Sequence, residues 1–174
     1  MPTGYTWCRV GQRKTVPYEA PERRRVNVAG ALAPYAAGGP ELVFETRRGD
    51  QGKYDAAAHL QFLARLGGLP NPLPEDWRRE RPVVVVLDNY SVHHSQAVKE
   101  QLPALEAAGV RCFFLPPYSP ELNEIEPMWR QVKYQDLPDR SYTTATALQQ
   151  AVESALTRRA KGYKKTTNNL PRPA

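Results

Sequence analysis

Pro82-Val83-Val84-Val85-Val86-Leu87-Asp88-Asn89 is a β-branched run that ends in a carboxylate and an amide. Four consecutive valines restrict χ1 and favour a strand, and the lack of polar alternation predicts one covered on both faces, central to a sheet. The residues after it continue the pattern. Ser95 to Ala108 places Val98, Leu102 and Leu105 at helical spacing and closes on Gly109. Val110-Arg111-Cys112-Phe113-Phe114-Leu115 is the next β run. Strand, helix, strand in that order demands a parallel crossover.

Working outward, Arg25 to Leu32 and Glu41 to Thr46 are two further β-type runs, separated by a Pro34 to Pro40 loop carrying Gly38-Gly39. Tyr5 to Tyr18 reads as a strand and turn, so these segments together predict an antiparallel meander. From about Asp55 to Leu66 the period becomes helical, with Ala57, Leu60, Leu63 and Ala64 on one stripe ended by Gly67-Gly68. Downstream, helices are expected from about Asn123 to Tyr134 and from Thr144 to Arg159. From Thr157 onward the chain is basic, and it is expected to fray. The predicted class is α/β with a mixed sheet, a meander plus a parallel βαβ unit, flanked by helices.

Composition narrows the function classes. The 174 residues suit one domain, and no apolar run approaches the length of a membrane span. Lys and Arg total 24 against 18 Asp and Glu, a net charge of +6 that suits a polyanionic partner. Two cysteines, Cys8 and Cys112, build neither a disulfide framework nor a closed zinc site, and no secretory leader opens the chain. A bacterial or nuclear interior fits these counts, and secretion does not.

Asp88 follows the valine strand, at the strand end where open α/β sheets bind ligands. Turn formation by Asp88-Asn89 explains the same residues without chemistry. The next strand leads into Glu121, Glu124 and Glu126. If Asn123 caps the following helix, Glu126 falls where a capping-box carboxylate would bind the helix start, and Glu124 faces solvent. Two carboxylates at neighbouring strand ends in a basic protein also match two-metal phosphoryl transfer, which needs hard oxygen ligands for Mg²⁺ and cations for phosphates.

Val-Leu-Asp88-Asn89-Tyr-Ser-Val-His93-His94-Ser, followed by Leu-Pro-Pro-Tyr118-Ser-Pro-Glu-Leu-Asn123-Glu-Ile-Glu126-Pro-Met-Trp129, closely resembles the mariner superfamily of transposases in its bacterial insertion-sequence branch. Weaker matches at Gly4-Tyr5-Thr6-Trp7, Val26 to Leu32 and Phe62 to Leu66 extend it to about Ala160. The resemblance implies a ribonuclease H-like catalytic domain over residues 1–160, with a basic tail over 161–174. It makes Asp88 the second aspartate of a DDE triad and Glu126 its glutamate, with 37 residues between them, slightly more than the family's usual spacing. Asn89, His93 and Asn123 match accessory positions. On the same resemblance the first strand and first aspartate fall before Met1, with the helix-turn-helix region, so the chain is expected to be an N-terminally truncated catalytic part, inactive alone, of a bacterial, cytoplasmic and nucleoid-associated enzyme.

The implied chemistry is Mg²⁺- or Mn²⁺-dependent hydrolysis at a transposon end, then attack of the freed 3′-hydroxyl on target DNA, at a two-metal site that would be incomplete here. DNA phosphates would be met by Arg13, Lys14, Arg23, Arg24, Arg25, Arg130, Lys133, Arg158 and Arg159, each of which also suits a solvated surface. Trp7 and Trp129 suit the core better than base stacking. A homodimer or an assembly with full-length transposase is a further expectation, and no membrane is involved. The rival from another class is an inactive remnant that binds DNA or transposase. A zinc hydrolase built on His93, His94 and Asp88 is the poorest fit, because adjacent histidines rarely chelate one metal.

Overall fold

A computed structural model describes residues 8–12, 24–36, 38–137 and 142–167. In chain order the elements are β1 (Val26–Ala33), β2 (Glu41–Arg48), α1 (Ala56–Gly67), β3 (Val83–Leu87), α2 (Gln96–Ala107), β4 (Val110–Phe114), α3 (Glu126–Gln131) and α4 (Ala145–Thr167). They fall into two units, one of residues 54–126 and the other formed by the flanking chain on both sides. The candidate strand and turn over Tyr5 to Tyr18 lies mostly outside the described residues, as do Trp7, Arg13, Lys14 and Arg23. Residues 8–12 make a turn in which Gln12 N donates to the Arg9 carbonyl at 2.9 Å.

In the unit of residues 54–126, β3 and β4 pair in parallel with Val83 opposite Val110 and Leu87 opposite Phe114, joined by α2 as the sequence predicts. The ladder continues one step further, because Leu115 N donates to the Leu87 carbonyl at 2.8 Å. Leu63 of α1, Val85, Leu87, Leu105 and Val110 form the buried core, with Leu60, Leu66 and Leu102 packed against it.

The expectation of a central strand covered on both faces is corrected here. Val85 and Leu87 are buried, but Val84 and Val86 remain 59% and 53% exposed, and among the described residues β3 pairs with β4 alone. Valine fits a pleated, half-buried surface, so a run of valines marks a strand without deciding whether one face is covered or two.

Helix α1 starts where Asp55 accepts the Ala58 N–H at 2.9 Å, and it ends with Gly68 in the left-handed region at φ 62°, its N–H closing on Ala64 and Arg65 carbonyls. Gly67, the last helical residue, is needed for space: a Cβ there would stand 2.6 Å from Val110 Cγ2 and 3.2 Å from Leu69 Cγ. Gly67→Ala is therefore expected to destabilise the protein by about 1–3 kcal/mol, although alanine is the better helix former. Urea unfolding of the two proteins checks this, and an unchanged or raised midpoint would show that β4 yields to the methyl group.

In the flanking unit, β1 and β2 form an antiparallel pair with Val26 opposite Arg48 and Ala33 opposite Glu41. Helix α4 lies on β2, where Gln149 Nε2 donates to Thr46 Oγ1 at 2.8 Å and Glu153 accepts from the same hydroxyl. Two sequence-based boundaries change. Helix α4 continues past Arg159 to Thr167, through the basic stretch expected to fray from Thr157. Its buried Val152, Ala155 and Leu156 anchor the helix one turn earlier, and nothing in the following residues breaks it before Thr167. The helix expected over Asn123 to Tyr134 is shorter and irregular: α3 starts at Glu126 and runs into a π-helical turn over Val132–Asp136. No helix among the described residues is long and apolar enough to cross a membrane.

Candidate active site

The site is built at the carboxyl ends of β3 and β4. Asp88 follows Leu87 directly, and its Oδ1 accepts the Tyr90 N–H at 3.0 Å. The turn reading of this aspartate is thus correct as far as it goes, but it engages only one carboxylate oxygen. The same Oδ1 lies 3.1 Å from His93 Nδ1, and the Asp88 carbonyl lies 3.1 Å from that nitrogen too. With a carbonyl as its partner, His93 Nδ1 carries the proton and donates it to the Asp88 carbonyl, while Oδ1 stands at ion-pair distance from the same nitrogen. Asp88 Oδ2 has no partner among the described residues, and the side chain is 44% exposed.

Asn89 ties the two strand ends together. Its Nδ2 donates to the Leu115 carbonyl at 2.6 Å, and its Oδ1 lies 3.0 Å from His94 Nε2. The His94 ring in turn lies 4.7 Å from the Phe114 ring, tilted by 31°. His93 and His94 turn their nitrogens to different partners, which separates them as ligands. A 3-10 turn over Ser91–His94 produces this divergence.

His59, absent from the sequence-based candidates, is the residue beneath this arrangement. It sits on α1, is 2% exposed, and stacks on His93 with ring centroids 4.3 Å apart and 30° between planes. Its Nδ1 lies 3.3 Å from the Tyr54 hydroxyl, while Nε2 has no partner among the described residues. Burial, and then the neighbouring His93, push its pKa down to about 4, against the opposing pull of the Asp88 charge. Its spacing from Phe62 and Leu63 was the available signal, since it puts His59 on the helix face that is buried. All three histidines of the chain thus gather around the end of β3.

Glu126 belongs to the same unit as Asp88. It is half-buried, and its carboxylate has no hydrogen-bond or ion-pair partner among the described residues. The expected capping box is not formed. The Asn123 carbonyl, not its side chain, receives the Glu126 N–H at 3.0 Å, so Glu126 is the first helical residue and not the third. Pro127 explains the shift, because its fixed φ and missing N–H suit the opening turn of a helix. Glu121 and Glu124 are exposed.

The basic candidates separate by environment. Arg25, Arg130, Lys133 and Arg158 are exposed, with Lys133 Nζ 5.3 Å from the centroid of the Tyr134 ring. Arg24 donates to the Tyr142 carbonyl. Arg159 forms a fork on Asp136, with Nη2 2.9 Å from Oδ1, and this bond holds its pKa above the ordinary value. Its guanidinium is engaged within the fold.

Among the described residues no group of three or more His, Cys, Asp or Glu side chains is gathered closely enough to hold a metal. The donor set nevertheless suits a hard divalent ion, since Mg²⁺ keeps several waters and takes one or two protein carboxylates alongside substrate phosphates. Asp88 Oδ2 and the Glu126 carboxylate are such donors.

A family profile described as DDE superfamily endonuclease matches residues 1–149. The chain belongs to the DDE superfamily endonucleases. No curated protein matches it. The endonuclease profile spans β3, β4 and α3, and so contains Asp88, Asn89, His93, Asn123 and Glu126 as well as His59. Members of this superfamily act on DNA and generally use divalent metals such as Mg²⁺, which agrees with the hard oxygen donors and with the net charge of +6.

Proposed function

We propose that this DDE endonuclease chain carries the catalytic part of a bacterial insertion-sequence transposase of the mariner superfamily. The reaction of the complete transposase is hydrolysis of a phosphodiester at the transposon end, followed by attack of the freed 3′-hydroxyl on target DNA. The observation that carries the reading is the Asp88 carboxylate, held by the Tyr90 N–H through Oδ1 with His93 Nδ1 3.1 Å from the same oxygen, and left with Oδ2 open at a strand end. Asp88 and Glu126 are assigned as the ligands of Mg²⁺ or Mn²⁺, which supplies charge neutralisation at the phosphate and a more acidic bound water.

The remaining residues orient and bind. Asn89 fixes the end of β3 against β4, and His93 holds Asp88 in one rotamer. Asn123 closes the turn that presents Glu126. Arg25, Arg130, Lys133 and Arg158 are assigned to the DNA backbone, which makes binding salt-dependent and weakly selective for sequence.

Nicking of supercoiled plasmid with Mg²⁺ or Mn²⁺ tests this. Metal-dependent turnover that disappears in Asp88→Ala and Glu126→Ala supports it. Retention of DNA without turnover supports instead the binding-only reading, a DNA- or transposase-binding remnant.

A further inference from the structure

His59 has no assigned part in the reaction, yet it lies directly under the residue that orients Asp88. Its ring is fully buried, while an imidazole in that position carries a desolvation cost that leucine or phenylalanine would not. One nitrogen is left without a partner among the described residues, a feature that in a folded protein calls for a reason. The reason is found on the other face of the ring. His93 lies 4.3 Å away and stacked on it, and the opposite edge carries the Nδ1–H that donates to the Asp88 carbonyl at 3.1 Å and stands 3.1 Å from Oδ1. Tyr90 closes the arrangement, its ring edge-on to His93 at 5.7 Å and 81°. The His93 ring is thus held between a buried platform and an aromatic edge, with little freedom in χ2.

We infer that His59 is a positioning residue for Asp88: its buried ring is the platform that fixes the plane of His93, and through it the direction in which Asp88 Oδ2 faces. This rests on the reading of Asp88 as a metal ligand. The platform acts at one remove, because His59 touches His93 and not the carboxylate. Flatness is the property the stack requires, so an aromatic hydrocarbon in its place should serve and an aliphatic side chain should not. A neutral ring also adds no positive charge beside Asp88, and burial keeps His59 neutral near pH 7.

The test compares His59→Leu with His59→Phe in the full chain. The first readout is ¹⁵N NMR of the histidine rings in metal-free protein, where His93 should show a fixed Nδ1–H tautomer. That signature should persist in His59→Phe and average out in His59→Leu. The second readout is binding of Mn²⁺ alone, followed by electron paramagnetic resonance: His59→Leu should weaken it about tenfold and His59→Phe by no more than about twofold, the lower range for residues supporting a metal ligand. A wild-type tautomer and wild-type Mn²⁺ affinity in His59→Leu would overturn the inference. So would equal losses in both variants, since a flat ring would then not be what matters. Asp88→Asn separates the two levels: unchanged Mn²⁺ affinity there overturns the ligand assignment, and with it the functional part of the inference, while the metal-free tautomer still reports whether His59 fixes His93.

Discussion

In a nicking-competent transposase assembly containing this chain, replacing Asp88 by alanine is expected to lower metal-dependent plasmid turnover on the order of a thousandfold, because a hard ligand worth several kcal/mol in the transition state is removed. The fold should survive. Asp88 is 44% exposed, and the alanine forfeits the acceptor for the Tyr90 N–H, about 1 kcal/mol or less at a partly solvated site, and the Oδ1 contact with His93, while the backbone carbonyl that accepts from His93 stays. Asp88→Asn is the sharper variant. Its side-chain oxygen still accepts from Tyr90 N, so the turn is kept while the charge is lost, and the expected drop in turnover is about as large. Nicking rates at fixed metal concentration, with thermal unfolding as a control on folding, check both variants. Retained turnover in the asparagine variant would remove Asp88 from the ligand set and leave it as a turn residue.

The part of this site that could be read from sequence is the part carried by local pattern. Val83 to Asp88, the helix closing on Gly109 and Val110 to Leu115 each declare themselves through β-branching, helical spacing or a glycine stop, and the structure joins them as a parallel crossover with Asp88 at its open end. Glu126 was found by its motif, but its place in the helix was not, because Asn-x-x-Glu matches a capping box and Pro127 decides otherwise. Exposure was not legible either: Val84 and Val85 are identical in sequence pattern, and only the packing of helices against one face separates them. His59 illustrates the deeper limit. It precedes His93 by 34 residues, and nothing local to either histidine announces that α1 will bring one ring under the other. Helix spacing could place His59 on a buried face. The stack itself is a product of tertiary structure.

That burial has a consequence for stability against acid. His59 ionises near 6.5 in an unfolded chain and near 4 in the folded one. Above pH 6.5 both states hold it neutral, and it contributes no pH dependence. Between 6.5 and 4 the unfolded chain takes up the proton and the folded protein does not, so unfolding gains free energy from protonation and stability falls as the pH falls. The loss is about 2 kcal/mol by pH 5 and approaches about 3 kcal/mol near pH 4, where the folded protein begins to bind the proton as well. Carboxylates also titrate at the lower end of that range, so the contribution of His59 is read as a difference. Urea midpoints for wild type and His59→Phe, measured at pH 7, 6 and 5, should converge or cross as the pH falls: the wild type should lose stability between pH 6.5 and 5 and the phenylalanine variant should stay nearly level. Parallel curves would mean that His59 takes up its proton in the folded protein near its ordinary pKa, so that burial does not hold it neutral.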